Sequence, residues 1–543
     1  MLRDLARLAA TEYDLLVIGG GISGLVAAYD AAQRGLSVAL IDRGDFGAAT
    51  SFNHLKTVHG GLRYLQQGNL VRMRRSVLER RAFATIAPHL VSPLAFLTPT
   101  THQPARGRAA FTVAFMIDDW IGRDRNAGLL RDIHLPAGRI LSLEECRRLA
   151  PGLDLNGATG GALWYDYQMP RADRLTLAFA LAAHTHGAVV SNYVEALTPT
   201  REGNTIGGVN ARDVLGRGEP FLIRARITLN AAGPWAHAVM AGCGIEHDIP
   251  LLKAMNLVTN RPASGPALVR SQPDGRALVL APWCGRAIIG TGESAARCSP
   301  DSRGVTDEEL QMFLGEINTT FPNLNLRYDE ISLVHRGVVP AVRRNGRVGL
   351  KGQPEVIDHA RDGIEGLITA IGVKYTTARL LAEEAVDLVV RKLGRVGPAC
   401  RSASVPLPGA SAEITDQLVA GLLEKHGGWL DDPAARHLAL AHGTGGHAVA
   451  TLGDDDSTLR ERVSPELPVL RAEIMHAVRK EMALTLTDVV VRRTPLGAAG
   501  HPGPTVAQTC ARILGTELQW STGRVSDEIE SLRSFYDPIA SSQ

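Results

Sequence analysis

The stretch Tyr13-Asp14-Leu15-Leu16-Val17-Ile18-Gly19-Gly20-Gly21-Ile22-Ser23-Gly24 decides the fold. Its first six residues read as a buried strand. Gly19, Gly21 and Gly24 then spell G-x-G-x-x-G. Leu25 to Arg34 carries a helical pattern ended by Gly35, and Ser37 to Ile41 reads as a second strand. Together they make a β-α-β unit whose connection is right-handed. The first glycine allows the tight turn, the second lets a pyrophosphate approach the backbone, and the third lets helix and strand pack closely. The phosphates would rest on the helix N-terminus, where free N–H groups and the helix dipole favour anions. Asp42, at the end of the second strand, stands where it can accept hydrogen bonds from a ribose.

Outward from this unit, two distant segments repeat the pattern of a buried strand followed by glycine. Ile223 to Ala232 closes at Gly233-Pro234. Gly366 to Ile371 closes at Gly372 and leads into a helix from Thr376 to Leu393. A nicotinamide dehydrogenase usually completes its binding domain in one block, so strands that return after long insertions favour FAD. Gly372 to Thr377 would start a helix with its positive end in the cleft, where it stabilises the negative charge of a reduced flavin.

The expected fold class is α/β, with three parts. A Rossmann-type FAD-binding domain takes residues 1–95, 160–244 and 331–400. A mixed, strand-rich substrate domain is inserted as 96–159 and 245–330, with a hairpin formed by Ala277 to Ala281 and Ala287 to Gly290. After Pro406-Leu407-Pro408-Gly409 the pattern becomes helical, giving a C-terminal domain over 405–543.

At 543 residues and 45% hydrophobic composition, the chain can bury more than one core. A net charge of +2 gives no field that would recruit nucleic acid. The six cysteines show no CxxC pair and no zinc spacing, so a reducing, cytoplasmic setting without a resident metal is expected. No apolar run reaches 18 residues, although contact with the inner face of the cytoplasmic membrane stays open. The basic run Arg72-Met73-Arg74-Arg75 with Arg80-Arg81 recurs at helical spacing. It reads as a solvated face, with anionic lipid heads as the alternative partner.

Longer runs carry a family resemblance. Ala49-Thr50-Ser51 and Lys56-Thr57-Val58-His59-Gly60-Gly61-Leu62-Arg63-Tyr64-Leu65 resemble the FAD-dependent glycerol-3-phosphate dehydrogenases. So do Asn230-Ala231-Ala232-Gly233-Pro234-Trp235, Pro282-Trp283 with Ile288-Ile289-Gly290-Thr291, and Lys374-Tyr375-Thr376-Thr377-Ala378-Arg379. Glu473, Glu481, Asp488 and Arg492-Arg493-Thr494 are similar to that family's helical domain. The resemblance implies oxidation of the secondary alcohol of glycerol 3-phosphate to dihydroxyacetone phosphate, by hydride transfer to flavin N5. Quinone or oxygen would be the electron acceptor. It implies catalytic roles for Arg63, Lys374, His59 and Tyr64. FAD contacts would fall at Thr50, Ser51, His54, Gly60, Gly233, Gly372, Lys374 and Thr376, beside Gly19, Gly21, Gly24 and Asp42. Arg63, Tyr64, Lys351, Asn256 and Arg336 would hold the substrate.

The departures fall on the substrate side. Where the family has Gly-Val-Arg-Pro, this chain has Gly337-Val338-Val339-Pro340. Asn256 stands where a histidine is expected, and an amide cannot act as a general base near neutral pH. Either neighbours compensate, with Arg336, Arg343 or Arg344 supplying the charge and His335 or His59 the base, or the substrate differs. In the second case the chain acts on another small alcohol or amine, or binds flavin without turnover. His54 replaces a serine and lies six residues before Gly60. At a similar spacing, fumarate reductase and succinate dehydrogenase flavoproteins link a histidine covalently to the flavin. A histidine that only hydrogen-bonds near the flavin is the simpler reading.

Overall fold

The computed structural model describes residues 1–537 apart from 217, 273, 274, 295, 303, 345, 346 and 414. The strand Glu12–Ile18 is buried after its first residue and lies at the centre of an eight-stranded sheet. It pairs in parallel with Val38–Ile41 on one side and Phe221–Asn230 on the other. Leu367–Ile371 adds in parallel to Phe221–Asn230, and Val189–Ser191 to Val38–Ile41. Strands from far along the chain thus end at one edge, because each is apolar enough to be covered on both faces. Between the first two strands runs the helix Ile22–Gln33, whose Leu25, Val26, Ala28 and Tyr29 share one core with Phe179, Leu381 and Val386. Burying each large side chain of this set contributes about 1.5–3 kcal/mol.

A second, ten-stranded sheet carries the other wall of the cleft. Within it the strand Leu251–Pro262 is paired antiparallel with Ile331–Arg344 and with Arg286–Glu293. Ala277–Trp283 and Arg286–Glu293 form the expected hairpin. The domain boundaries differ from the sequence reading. Residues 331–350 were expected in the FAD-binding domain, yet Ile331–Arg344 and Arg347–Leu350 belong to this second sheet. Pairing along nearly the whole of the buried strand Leu251–Pro262 fixes them there. Ser92–Thr101 and Ala158–Gln168 pair in the same sheet and span the expected boundaries at 95 and 160.

From Thr415 onward the chain is mostly helical, with one small hairpin of Arg462–Ser464 and Leu467–Leu470. Among the described residues, no helix is long and apolar enough to cross a membrane.

Candidate active site

The carboxyl ends of the parallel strands open on a cavity of about 1640 Å³, above the ~300–1000 Å³ of an ordinary small-ligand pocket. Gly19 and Gly21 line it. Gly19 has φ +111°, and a Cβ there would stand 2.5 Å from the Ala231 carbonyl oxygen. Only glycine lets the two strands and the turn meet this closely. Gly24 is turned away from the cavity and presses on the Gly19 carbonyl, which is the helix-to-strand contact expected of the third glycine. The helix Ile22–Gln33 starts with Gly21 as its N-cap and no side-chain cap, so its first turn can receive an anion. Ser51 Oγ accepts the Ile22 N–H at 2.9 Å and ties the following loop to that turn.

Asp42 also lines the cavity. One oxygen accepts the Gly20 N–H at 2.6 Å and the other the Gly44 N–H at 2.7 Å. Burial nevertheless pushes its carboxyl up to about 6, against the pull of those two hydrogen bonds. Thr50 lines the wall and donates its hydroxyl to the Val338 carbonyl at 2.7 Å. Gly233, Gly372 and Thr376 complete this part, and Thr376 Oγ1 accepts the His59 N–H at 3.4 Å. The His54 ring stacks on Tyr375 with centroids 4.8 Å apart, and its Nδ1 accepts the Lys56 N–H at 3.0 Å. Its Nε2 is buried without a protein partner. Burial, then the Lys56 charge, hold the ring well below its ordinary pKa, so it is neutral. A glycine cradle at a helix start, a cavity-lining carboxylate and an orphaned ring nitrogen fit a bound dinucleotide such as FAD.

The other end of the cavity is basic. Arg63, Tyr64, Lys351, Lys374, Asn256 and Val339 all line it. Lys374 Nζ donates to the Tyr64 hydroxyl at 2.7 Å, while Arg63 is exposed at the mouth. Lys351 is paired with Glu355. The Asn256 carbonyl oxygen accepts the Thr291 hydroxyl at 3.0 Å, which leaves its Nδ2 donors for a ligand. His59 lies edge-on to Tyr64, and burial, then Lys374, Arg80 and Arg72, push its pKa down to about 3.

Several expected residues are placed elsewhere. Gly60 does not line the cavity. Its N–H donates to Asp166 at 2.6 Å, and the Arg80 guanidinium fills the space a Cβ would need. Arg336 donates to the Asp537 carbonyl at 3.2 Å and stays out of the cleft. Arg343 is exposed and also outside it, and the Arg344 side chain lies outside the described residues. His335 is buried between Phe52 and Trp283, away from the lining. Most of the basic run is ion-paired within the protein, while Arg75 is exposed. Arg74 and Arg81 both close on Asp124, and Arg80 is buried on Asp166. Those carboxylates arrive from 43 to 86 residues away in sequence, so helical spacing alone could not reveal them. Arg72, read with that run, is in fact a cleft residue. The available signal was Asn69, whose side chain accepts the Arg72 N–H at 3.0 Å and fixes where the helix Leu70–Ile86 begins.

Comparison with known proteins agrees with this arrangement. Residues 14–388 match the family model of FAD dependent oxidoreductases, and residues 400–525 match that of the C-terminal domain of alpha-glycerophosphate oxidase. The glycerol-3-phosphate dehydrogenase of Synechocystis sp. is 32% identical over 557 residues, covering 99% of this chain and 98% of that protein. A probable mitochondrial glycerol-3-phosphate dehydrogenase of Caenorhabditis elegans is 30% identical over 97% of this chain and 73% of its own length. In fold, the chain is similar to the Bacillus halodurans glycerol-3-phosphate dehydrogenase solved with FAD, with a TM-score of 0.76, 24% identity, and coverage of 98% and 96%.

Proposed function

The chain belongs to the FAD-dependent glycerol-3-phosphate dehydrogenase and oxidase family, and on that premise we propose that it oxidises the secondary alcohol of glycerol 3-phosphate to dihydroxyacetone phosphate. The observation that carries this reading is that Arg63, Lys351 and Lys374 line the same cavity as the dinucleotide cradle, with Lys374 hydrogen-bonded to Tyr64. A phosphate dianion is bound best by such charge-assisted donors. Gly19, Gly21, Asp42, Thr50, Ser51, His54, Gly233, Gly372 and Thr376 would hold FAD, which supplies the hydride acceptor, N5, when bound. Lys374 fixes the Tyr64 hydroxyl by hydrogen bonding to it, so both stay oriented toward the alcohol. His59, held neutral by burial and then by the cations around it, is the group we assign to take the hydroxyl proton. A bound phosphate would offset those cations and raise its basicity. Asn256 contributes hydrogen bonds alone.

Quinone is the acceptor this reading favours, with oxygen as the other. The helix Arg108–Ile121 puts Phe111, Val113, Ala114 and Ile117 on the cleft, with Val113, Met116 and Trp120 exposed. That apolar row suits contact with a membrane surface. The second reading, a different small alcohol or amine, is favoured by Val339 on the cleft wall. Anaerobic addition of glycerol 3-phosphate to the yellow holoenzyme decides between them. Bleaching of the flavin band near ~450 nm supports the first reading. A flavin reduced by dithionite and untouched by glycerol 3-phosphate overturns it.

A further inference from the structure

We propose that Arg72 binds the phosphate of the substrate, on the side of the cleft where Val339 offers no guanidinium. The inference rests on the glycerol 3-phosphate reading for the identity of its ligand. Arg72 lines the cavity, and its guanidinium carbon lies 4.2 Å from the centre of the Tyr64 ring. Lys374 Nζ lies 5.0 Å from the same centre and donates to the ring's hydroxyl. One buried aromatic ring therefore holds two cations close to a common space, by cation–π attraction and a hydrogen bond.

A second contact fixes the direction of the Arg72 side chain. Its Nη2 donates to the Gly352 carbonyl. The residue before Gly352 is Lys351, whose N–H donates to the Pro340 carbonyl at 2.9 Å. Pro340 directly follows Val339. This chain of contacts links the segments that bear Arg72, Lys351 and Val339, all of which line the cleft.

The charge balance points to an anion. Arg74, Arg80 and Arg81 on the same helix each close on a carboxylate, and Lys351 has Glu355. Among the described residues, Arg72 has no carboxylate partner, only the Gly352 carbonyl and the face of Tyr64. A guanidinium carries five N–H donors in a planar fork, and a phosphate can accept two of them in parallel. Arg74, Arg80 and Arg81, which hold the helix in place, are closed on carboxylates, whereas Arg72, turned to the cleft, is not. His59, in the same space, has its pKa lowered in part by Arg72, so the two share a field that a phosphate would neutralise.

The test uses the holoenzyme, with inorganic phosphate as the probe and the flavin spectrum as the readout. Arg72→Gln should weaken phosphate binding about tenfold or more, since a charge-assisted hydrogen bond is worth about 1.5–3 kcal/mol. KM for glycerol 3-phosphate should rise by a similar factor, with FAD content and melting temperature little changed. Arg72→Lys should recover part of the phosphate affinity. An unchanged phosphate affinity in a flavin-loaded Arg72→Gln protein overturns the proposal. Phenylglyoxal labelling of the wild-type holoenzyme reads the same point without a variant. Phosphate should protect the peptide bearing Arg72, and equal labelling with and without phosphate overturns the proposal too. If phosphate protects Arg72 while glycerol 3-phosphate fails to bleach the flavin, the substrate reading falls and the anion site stands. Bleaching without protection is the reverse.

Discussion

Asp42 keeps two backbone hydrogen bonds and still titrates near 6, because burial outweighs them. Its folded pKa lies above the ordinary unfolded value of about 3.9, so without a ligand the buried anion is disfavoured and stability falls as pH rises through that interval. Ribose hydroxyls that donate to the carboxylate would favour the anion instead. FAD affinity should therefore rise by about tenfold between pH 5 and 7, as measured by fluorescence titration, and Asp42→Asn should flatten the profile. A pH-independent wild-type affinity would exclude the ribose contact. His54 gives a second residue-scale prediction. Because Nδ1 accepts the Lys56 N–H, the neutral ring carries its proton on Nε2 and acts there as a donor, without the lone pair a covalent flavin bond requires. Acid precipitation should leave all FAD in the supernatant. Flavin that stays with the precipitated chain would establish the covalent link instead.

The glycine turn tests an element. Gly19→Ala combines a positive φ with a Cβ 2.5 Å from the Ala231 carbonyl oxygen, so strain of about 1–3 kcal/mol is expected. The protein should purify colourless or fail to fold, whereas Gly35→Ala, also at positive φ but with open space around it, should cost less and keep its flavin. Equal FAD content in the two variants would refute the close-packing argument. This element was legible because local chemistry alone determines it: apolar strand, glycine spacing and helix start lie within about two dozen residues. The second sheet was legible only as a strand-rich region. Whether Ile331–Arg344 joins one sheet or the other depends on its partner Leu251–Pro262, some 80 residues away, and no local pattern encodes that pairing. The helix Leu70–Ile86 makes the same point for the site. Its five arginines look alike in sequence, and only the distant Asp124, Asp166 and Gly352 separate the ion-paired Arg74, Arg80 and Arg81 from Arg72 in the cleft, while Arg75 is exposed.

Across the whole molecule, the C-terminal domain is fastened to the FAD-binding domain by buried charge. Asp45, in the loop after Asp42, accepts from Arg492 at 2.6 Å and from Arg493 at 2.7 and 2.8 Å. Arg492 also closes on Asp488, and Asn192 donates to Asp45 at 3.0 Å. Nearby, Arg174 donates to Glu481 at 2.6 Å and to His442 Nδ1 at 2.9 Å. His442, His476 and Glu481 are spaced for a metal ion, but the guanidinium already occupies two of the three, so we read the group as part of the same interdomain network. Burial alone would raise the Asp45 carboxyl, yet Arg493 and Arg492 hold it far below the ordinary carboxylate range. Glu481 is held down in the same way, chiefly by Arg174. With folded pKa values depressed, these groups contribute stability that is complete above the unfolded value of about 4 and is lost as pH falls below it. Asp45→Asn leaves two buried guanidinia short of charge and should cost about 3–5 kcal/mol at neutral pH, read from the urea midpoint. It should also flatten the loss of stability below pH 4. Arg493→Gln in the Asp45→Asn background should cost much less than it does alone, because its partner is already gone. Strict additivity of the two changes would mean that the domains are held together by their apolar contacts and that the ion cluster is incidental.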